Sequence, residues 1–197
     1  MDAAPTADVV IKVGGALVRD PDAFAAATAD LGALRHDVRI VLVPGGGPFA
    51  DAVRGVDRTL GLGRDAAHWM AILGMEQYAH LLGERIPGAI VIGNPGQLTG
   101  AWHAGRVPVL APYQWLRHAD PVPHSWDATS DSIAAWIAVA LRATHLVLIK
   151  PAAGAPRDMA DAHFGSILAA ASGAPCVSVC TAQTLARVMG SLRLPAV

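Results

Sequence analysis

Apolar residues fall along this chain in two alternating patterns. Short runs rich in valine, isoleucine and leucine recur at residues 9–13, 39–43, 89–92, 107–110, 146–149 and 176–179, without the polar alternation of a half-exposed strand. Strands buried on both faces read this way, as in a parallel sheet. Between them lie alanine-rich stretches with helical spacing, at about 21–35, 49–60, 64–85, 132–142 and 182–192. Asp20 followed by Pro21 opens the first, an N-cap candidate ahead of proline at the first helical position. Strands alternating with helices predict an α/β fold, an open and mainly parallel sheet sandwiched by helices. Residues 93–106 and 112–129, rich in glycine, proline, tryptophan and histidine, are expected to be irregular, and loops of that length are usually functional or disordered.

In an open α/β sheet ligands bind beyond the carboxyl ends of the strands, so the residues leaving each strand carry the chemistry. The first exit reads Lys12-Val13-Gly14-Gly15. Its glycines let backbone N–H groups approach phosphate oxygens and its lysine adds a point charge, the alternative being a plain turn with an edge lysine. The second reads Pro44-Gly45-Gly46-Gly47-Pro48. Three consecutive glycines are entropically costly, and ahead of a helix they present unpaired N–H donors to an anion. It is not a Walker A loop, and Gly61-x-Gly63 follows a helix rather than a strand, so the dinucleotide fingerprint does not apply either.

The third exit feature is His124-Ser125-Trp126-Asp127-Ala128-Thr129-Ser130-Asp131-Ser132. Ser130 as N-cap and Asp131 in the first turn account for the start of the next helix. His124 and Trp126 have no role in that account. Lys150 follows the run 146–149, either reaching a bound phosphate or standing as a solvated strand-end charge. Pro151 after it restricts it to an extended conformation that continues the strand toward the ligand edge.

Composition narrows the partners. The chain has 197 residues, 53% of them hydrophobic, enough for one sizeable core. A net charge of -1 provides no long-range field toward nucleic acid or anionic lipid, so a small molecule is the expected partner. The first residues lack the basic and apolar regions of a secretory signal. The longest apolar run, 133–141, is less than half of the roughly 20 residues that span a bilayer, so a cytoplasmic protein without a membrane partner is expected. Cys176 and Cys180 read as reduced core thiols. The eight histidines show no metal-ligand spacing, and no dedicated transition-metal site is expected.

Two separate glycine loops with an internal lysine resemble the amino acid kinase superfamily over most of the chain. Within it, Lys12-Val13-Gly14-Gly15, Pro44-Gly45-Gly46-Gly47 and, above all, His124-Ser125-Trp126-x-x-Thr129-Ser130-Asp131-Ser132 resemble the aminomethylfuran phosphate kinases of methanofuran biosynthesis. That family belongs to methanogens and has relatives in methylotrophic bacteria; the segment Ala67-His68-Trp69-Met70-Ala71-Ile72 resembles it as well. The resemblance implies an ATP- and Mg²⁺-dependent kinase that converts [5-(aminomethyl)furan-3-yl]methyl phosphate to its diphosphate. Lys12 would contact the transferred phosphoryl group, Gly14, Gly15, Gly45, Gly46 and Gly47 would cradle phosphates, and Asp131 would orient the lysine. Thr129 and Ser130 would complete the centre, with His124 and Trp126 at the substrate and the Trp126 ring placed to stack on a furan.

A phosphate acceptor needs positive potential, for which Arg54, His68 and Lys150 are candidates, although Arg54 also reads as a solvated helix charge. Trp69, Trp102, Trp115 and Trp136 read as packing residues. Kinases of the superfamily usually carry Thr-Asp where this chain has Lys150-Pro151, and residues 151–174 are few. The expected organisation is therefore one domain, an acceptor-binding lobe over about 1–130 and a trimmed nucleotide lobe over about 131–197. A homo-oligomer is expected from superfamily habit and from apolar residues beyond one face of the helix 64–85. The alternatives are another phosphate-accepting kinase, acting on a nucleoside monophosphate or isopentenyl phosphate, or a non-catalytic nucleotide-binding or sensory subunit of the same fold.

Overall fold

Six strands form one sheet in the computed structural model, which describes residues 5–34, 38–152 and 154–193. They are β1 (Val9–Val13), β2 (Ile40–Pro44), β3 (Ala89–Ile92), β4 (Val107–Leu110), β5 (His145–Ile149) and β6 (Cys176–Cys180). Their order is β3-β4-β2-β1-β5-β6 and every pairing is parallel, so all carboxyl ends share one edge. From β1 the chain goes to β2 on one side and returns later to β5 on the other. The topological switch point thus lies at the carboxyl ends of β1 and β5, where ligands of open α/β sheets bind.

Strand alternation sorts the core into two layers. Val9, Ile11 and Val13 of β1 with Ile40 and Leu42 of β2 pack under α1 (Pro21–Ala33). Val10, Val41, Val43, Leu146 and Leu148 pack on the other face, with Ile133, Ala134 and Ile137 of α6 (Ser130–Ala140). The same period places the chemistry: Lys12 shares the face of Val10, and Lys150 that of Leu146 and Leu148. Lys12 lies opposite Leu148 across the β1–β5 ladder, so both lysines emerge side by side beneath α6.

Asp20 caps α1 as expected, its carboxylate accepting the Ala23 N–H at 3.0 Å. The expected end of that helix at Arg35 lies outside the described residues, as does Ala153 beyond Lys150. α2 (Gly47–Leu60) begins inside the glycine run and ends at Gly61, left-handed at φ 63°, before the long α3 (Arg64–Arg85). The stretches expected to be irregular are partly helical: α4 (Leu98–His103) and α5 (Tyr113–Ala119) lie within them. Their tryptophans supply the reason, since Trp102 donates to the Ile40 carbonyl at 2.8 Å and Trp115 packs 4.9 Å from Trp136. Three short helices, α7 (Pro156–Met159), α8 (Phe164–Ala170) and α9 (Leu185–Ser191), complete the described chain.

Of the two cysteines only Cys180 is a core thiol, pushed up to about 11 by burial; Cys176 is exposed. No described helix is long and apolar enough to cross a membrane.

Candidate active site

Three charges meet at the switch point. Lys12 Nζ lies 2.9 Å from Asp131 Oδ1, and Lys150 Nζ lies 2.5 Å from Asp131 Oδ2. Lys12 and Asp131 are buried and Lys150 nearly so, with 13% of its side chain exposed. Lys150 is thus not a solvated strand-end charge: its side chain turns inward onto Asp131. Burial pushes the Lys12 ammonium below its ordinary range, the Asp131 charge opposes that, and the Lys150 charge adds to it. Two ammonium groups share one carboxylate at the carboxyl edge of the sheet, an arrangement suited to an anion arriving there.

Asp131 reaches this position because the start of α6 is pinned from outside. Ser130 is not the N-cap; Thr129 is, and its side chain does not cap. The carboxylate of Asp161 does so instead. It accepts the Thr129 N–H and Oγ1–H, each at 2.7 Å, the Ser132 N–H at 3.1 Å, the Ser132 hydroxyl, and the Phe164 N–H at 3.1 Å. Burial raises the Asp161 carboxyl, but the donors from Ser132 and Thr129 outweigh it and hold the group below the usual carboxylate range. Its stabilisation is therefore complete above about pH 4 and is lost as pH falls through the lowered native value. Asp161→Asn should lower the urea midpoint at pH 7, and the gap to the unsubstituted protein should narrow toward pH 3. A gap that stays constant across that range would show that the charge does not hold α6.

The two glycine turns touch each other. A Cβ on Gly15 would overlap the Gly47 backbone, and one on Gly45 would stand 2.6 Å from the Gly15 nitrogen. Gly47 also has φ +55°, a conformation that side chains rarely adopt. These contacts alone require glycine, and they set the first-turn N–H groups of α2, which have no intrahelical acceptor, beside the β1 exit. Tyr78 fixes the other turn, its hydroxyl donating to the Gly14 carbonyl at 3.3 Å.

Beside this centre opens a cavity of about 340 Å³ between α2, α3 and the loop before α6. Gly15, Gly46, Gly47, Thr129 and Ser130 line it together with Arg54, His68, His124 and Trp126. Lys12, Asp131, Lys150, Gly14 and Gly45 are not in its lining, although Gly14, Gly45 and Asp131 directly adjoin lining residues in the chain. Sequence reasoning missed Arg19, Asp51, Asp57 and Arg64 in the same wall. Arg54 is not a free helix charge: it binds Asp51 at 2.9 Å and lies 4.7 Å over the Trp126 ring. Arg19 binds Asp51 as well, at 2.6 Å.

His68 and His124 stack with ring centroids 4.0 Å apart, and their roles divide. His124 meets Asp65 through Nδ1 at 2.6 Å and Asp120 through Nε2 at 2.9 Å. The Asp65 hydrogen bond first, and then Asp120, raise its basicity, and imidazolium satisfies both carboxylates. His68 was expected to add positive charge, but burial and the neighbouring His124 charge push it down to about 4. It is neutral near pH 7, so of the two stacked rings His124 is the one suited to carry charge. One ligand atom each from His68, Asp120 and His124 falls within 4.8 Å of the others, the size of a metal site. The rings, however, are only 17° from parallel, so their lone pairs do not converge on one ion.

Comparison with known proteins bears on this geometry. The profile of the Amino acid kinase family matches residues 9–154, from β1 through both glycine turns and Asp131 to just past Lys150. The chain belongs to the amino acid kinase family. A relative in Methanocaldococcus jannaschii, [5-(aminomethyl)furan-3-yl]methyl phosphate kinase, is 28% identical over 139 residues, 71% of this chain. The match takes in 63% of that relative's length. Two solved structures share the fold of this family member. Uridylate kinase from Archaeoglobus fulgidus superposes with TM-score 0.66 at 16% identity, over 95% of this chain and 97% of that one. UMP kinase from Ureaplasma parvum does so with TM-score 0.57 at 16% identity, over 78% and 74%.

Proposed function

We propose that this family member is an ATP-dependent kinase whose acceptor already carries a phosphate, converting [5-(aminomethyl)furan-3-yl]methyl phosphate to its diphosphate. The observation that carries the reading is the Lys12–Asp131–Lys150 cluster beside two touching glycine turns. An oxygen of the acceptor phosphate attacks the γ-phosphorus of ATP, and ADP leaves. Charge spreads over the equatorial oxygens during transfer, and neutralising it is most of the catalysis. Lys12 and Lys150 supply two ammonium groups there, and Asp131 holds both in place. Arg19, Arg54 and Arg64 in the cavity wall attract a phosphorylated acceptor, and the half-exposed Trp126 offers an aromatic surface to its ring.

The residues present fit the phosphates of ATP, but among the described residues none at the centre offers Mg²⁺ an open carboxylate. Both oxygens of Asp131 meet ammonium groups, and Asp161 is filled by five donors. On this reading Mg²⁺ enters with the nucleotide. The lobes divide at α6, with the acceptor on the α2–α3 side and the nucleotide on the β5–β6 side. Self-association over the exposed Met70 and Leu73 of α3 belongs to the same proposal, and sedimentation as a monomer at micromolar concentration would remove it.

Lys150→Met is expected to weaken ATP binding or slow transfer by roughly ten- to a hundredfold, since charge-assisted contacts to phosphate are worth about 1.5–3 kcal/mol. Unchanged affinity and unchanged kcat would leave Lys12 alone on the transferred group. The reaction itself is read by ADP release with Mg²⁺ present and absent, against the furan phosphate, UMP and isopentenyl phosphate. Preference for UMP or isopentenyl phosphate would replace the proposed acceptor.

A further inference from the structure

The cavity beside the centre holds a carboxylate that its own arginines leave alone. Asp57 Oδ1 accepts the Leu62 N–H at 3.0 Å and Oδ2 accepts the Trp126 indole N–H at 2.7 Å. Both donors are neutral. Among the described residues no lysine, arginine or histidine lies within ion-pair distance of Asp57, whereas Asp51, six residues earlier on α2, binds both Arg19 and Arg54. A carboxylate without an ion-pair partner in a wall that attracts anions opposes binding, unless the ligand brings a cation to that end.

Distance identifies which end. Asp57 follows Gly47 by ten residues on α2, about 15 Å along the helix axis. A phosphate held at the Gly47 turn and a hydrogen bond at each end leave roughly 9 Å for the molecule between them. That is on the order of the extended length of an aminomethylfuran methyl phosphate, from phosphorus to amine.

We infer that Asp57 receives a primary ammonium group of the acceptor, opposite its phosphate, with the Trp126 indole fixing the carboxylate's orientation. The inference rests on the acceptor proposed above. It makes the cavity selective for molecules that carry an anion at one end and an amine at the other.

The test compares [5-(aminomethyl)furan-3-yl]methyl phosphate with its hydroxymethyl analogue, in the unsubstituted protein and in Asp57→Asn. Asparagine retains the acceptor for Leu62, and any turnover by the variant reports that it is folded. The unsubstituted protein should prefer the amine in kcat/KM by about tenfold or more, and Asp57→Asn should bring the ratio to within about threefold. A ratio unaffected by the substitution would overturn the subsite while leaving the acceptor in place. Parallel loss of both substrates in Asp57→Asn would also overturn it, because the carboxylate would then serve fold or transfer rather than the amine. If the unsubstituted protein turns over neither compound, the proposed acceptor fails and the inference falls with it.

Discussion

Lys12→Ala is expected to reduce kcat by about a hundred- to a thousandfold, the usual effect of removing one donor aimed at transition-state charge. Its melting temperature should change little. The centre carries two ammonium groups for one carboxylate, so deleting Lys12 leaves Asp131 and Lys150 as a matched pair at 2.5 Å. Burial already pushes the Lys12 ammonium down, which means the native fold bears a cost for keeping that charge in place. Loss of activity with retained stability would therefore separate a functional lysine from a structural one. Near-normal kcat in Lys12→Ala would remove it from the mechanism.

Asp131→Asn should act on both stability and rate. The amide keeps the shape of the side chain, and α6 keeps its start, because Asp161 rather than Asp131 caps it. What disappears is the counter-charge between two buried or nearly buried ammonium groups. Removing one member of a buried ion pair typically costs about 3–5 kcal/mol, so a melting temperature lower by roughly 10 °C is expected for a chain of this size. Release of part of that cost by deprotonation of Lys12 would in turn remove the charge that transfer needs. We expect kcat to fall at least about a hundredfold at neutral pH. A destabilised variant with unchanged kcat would make Asp131 a fold residue only.

The inner strands were legible because parallel strands covered on both faces read as continuous apolar runs; β1 and β4 fall on the expected residues. So does β3, although as an edge strand it leaves Ile90 exposed, and β6 at the other edge is mostly half-buried rather than covered. Lys12 and the glycine turns were legible for the converse reason, since a charge inside such a run and glycines at its exit have no cheap structural explanation. The inward course of Lys150 followed from Pro151. Other parts depend on partners remote in the chain. The Asp161 cap joins residues 29 to 32 positions away, and the Asp57–Trp126 contact spans 69, so no local pattern carries them. The neutrality of His68 depends on its burial and on His124, neither of which its own helix displays. α4 and α5 were hidden because tryptophan packing, rather than a long apolar period, holds them.

Transfer of γ-labelled phosphate from ATP to the furan phosphate, measured for the unsubstituted protein and for Lys12→Ala in parallel, tests the kinase assignment most directly. The account predicts label in a phosphoanhydride product that depends on Mg²⁺ and on Lys12. ATP binding without label transfer to any small phosphate acceptor, or equal transfer by both proteins, would contradict it.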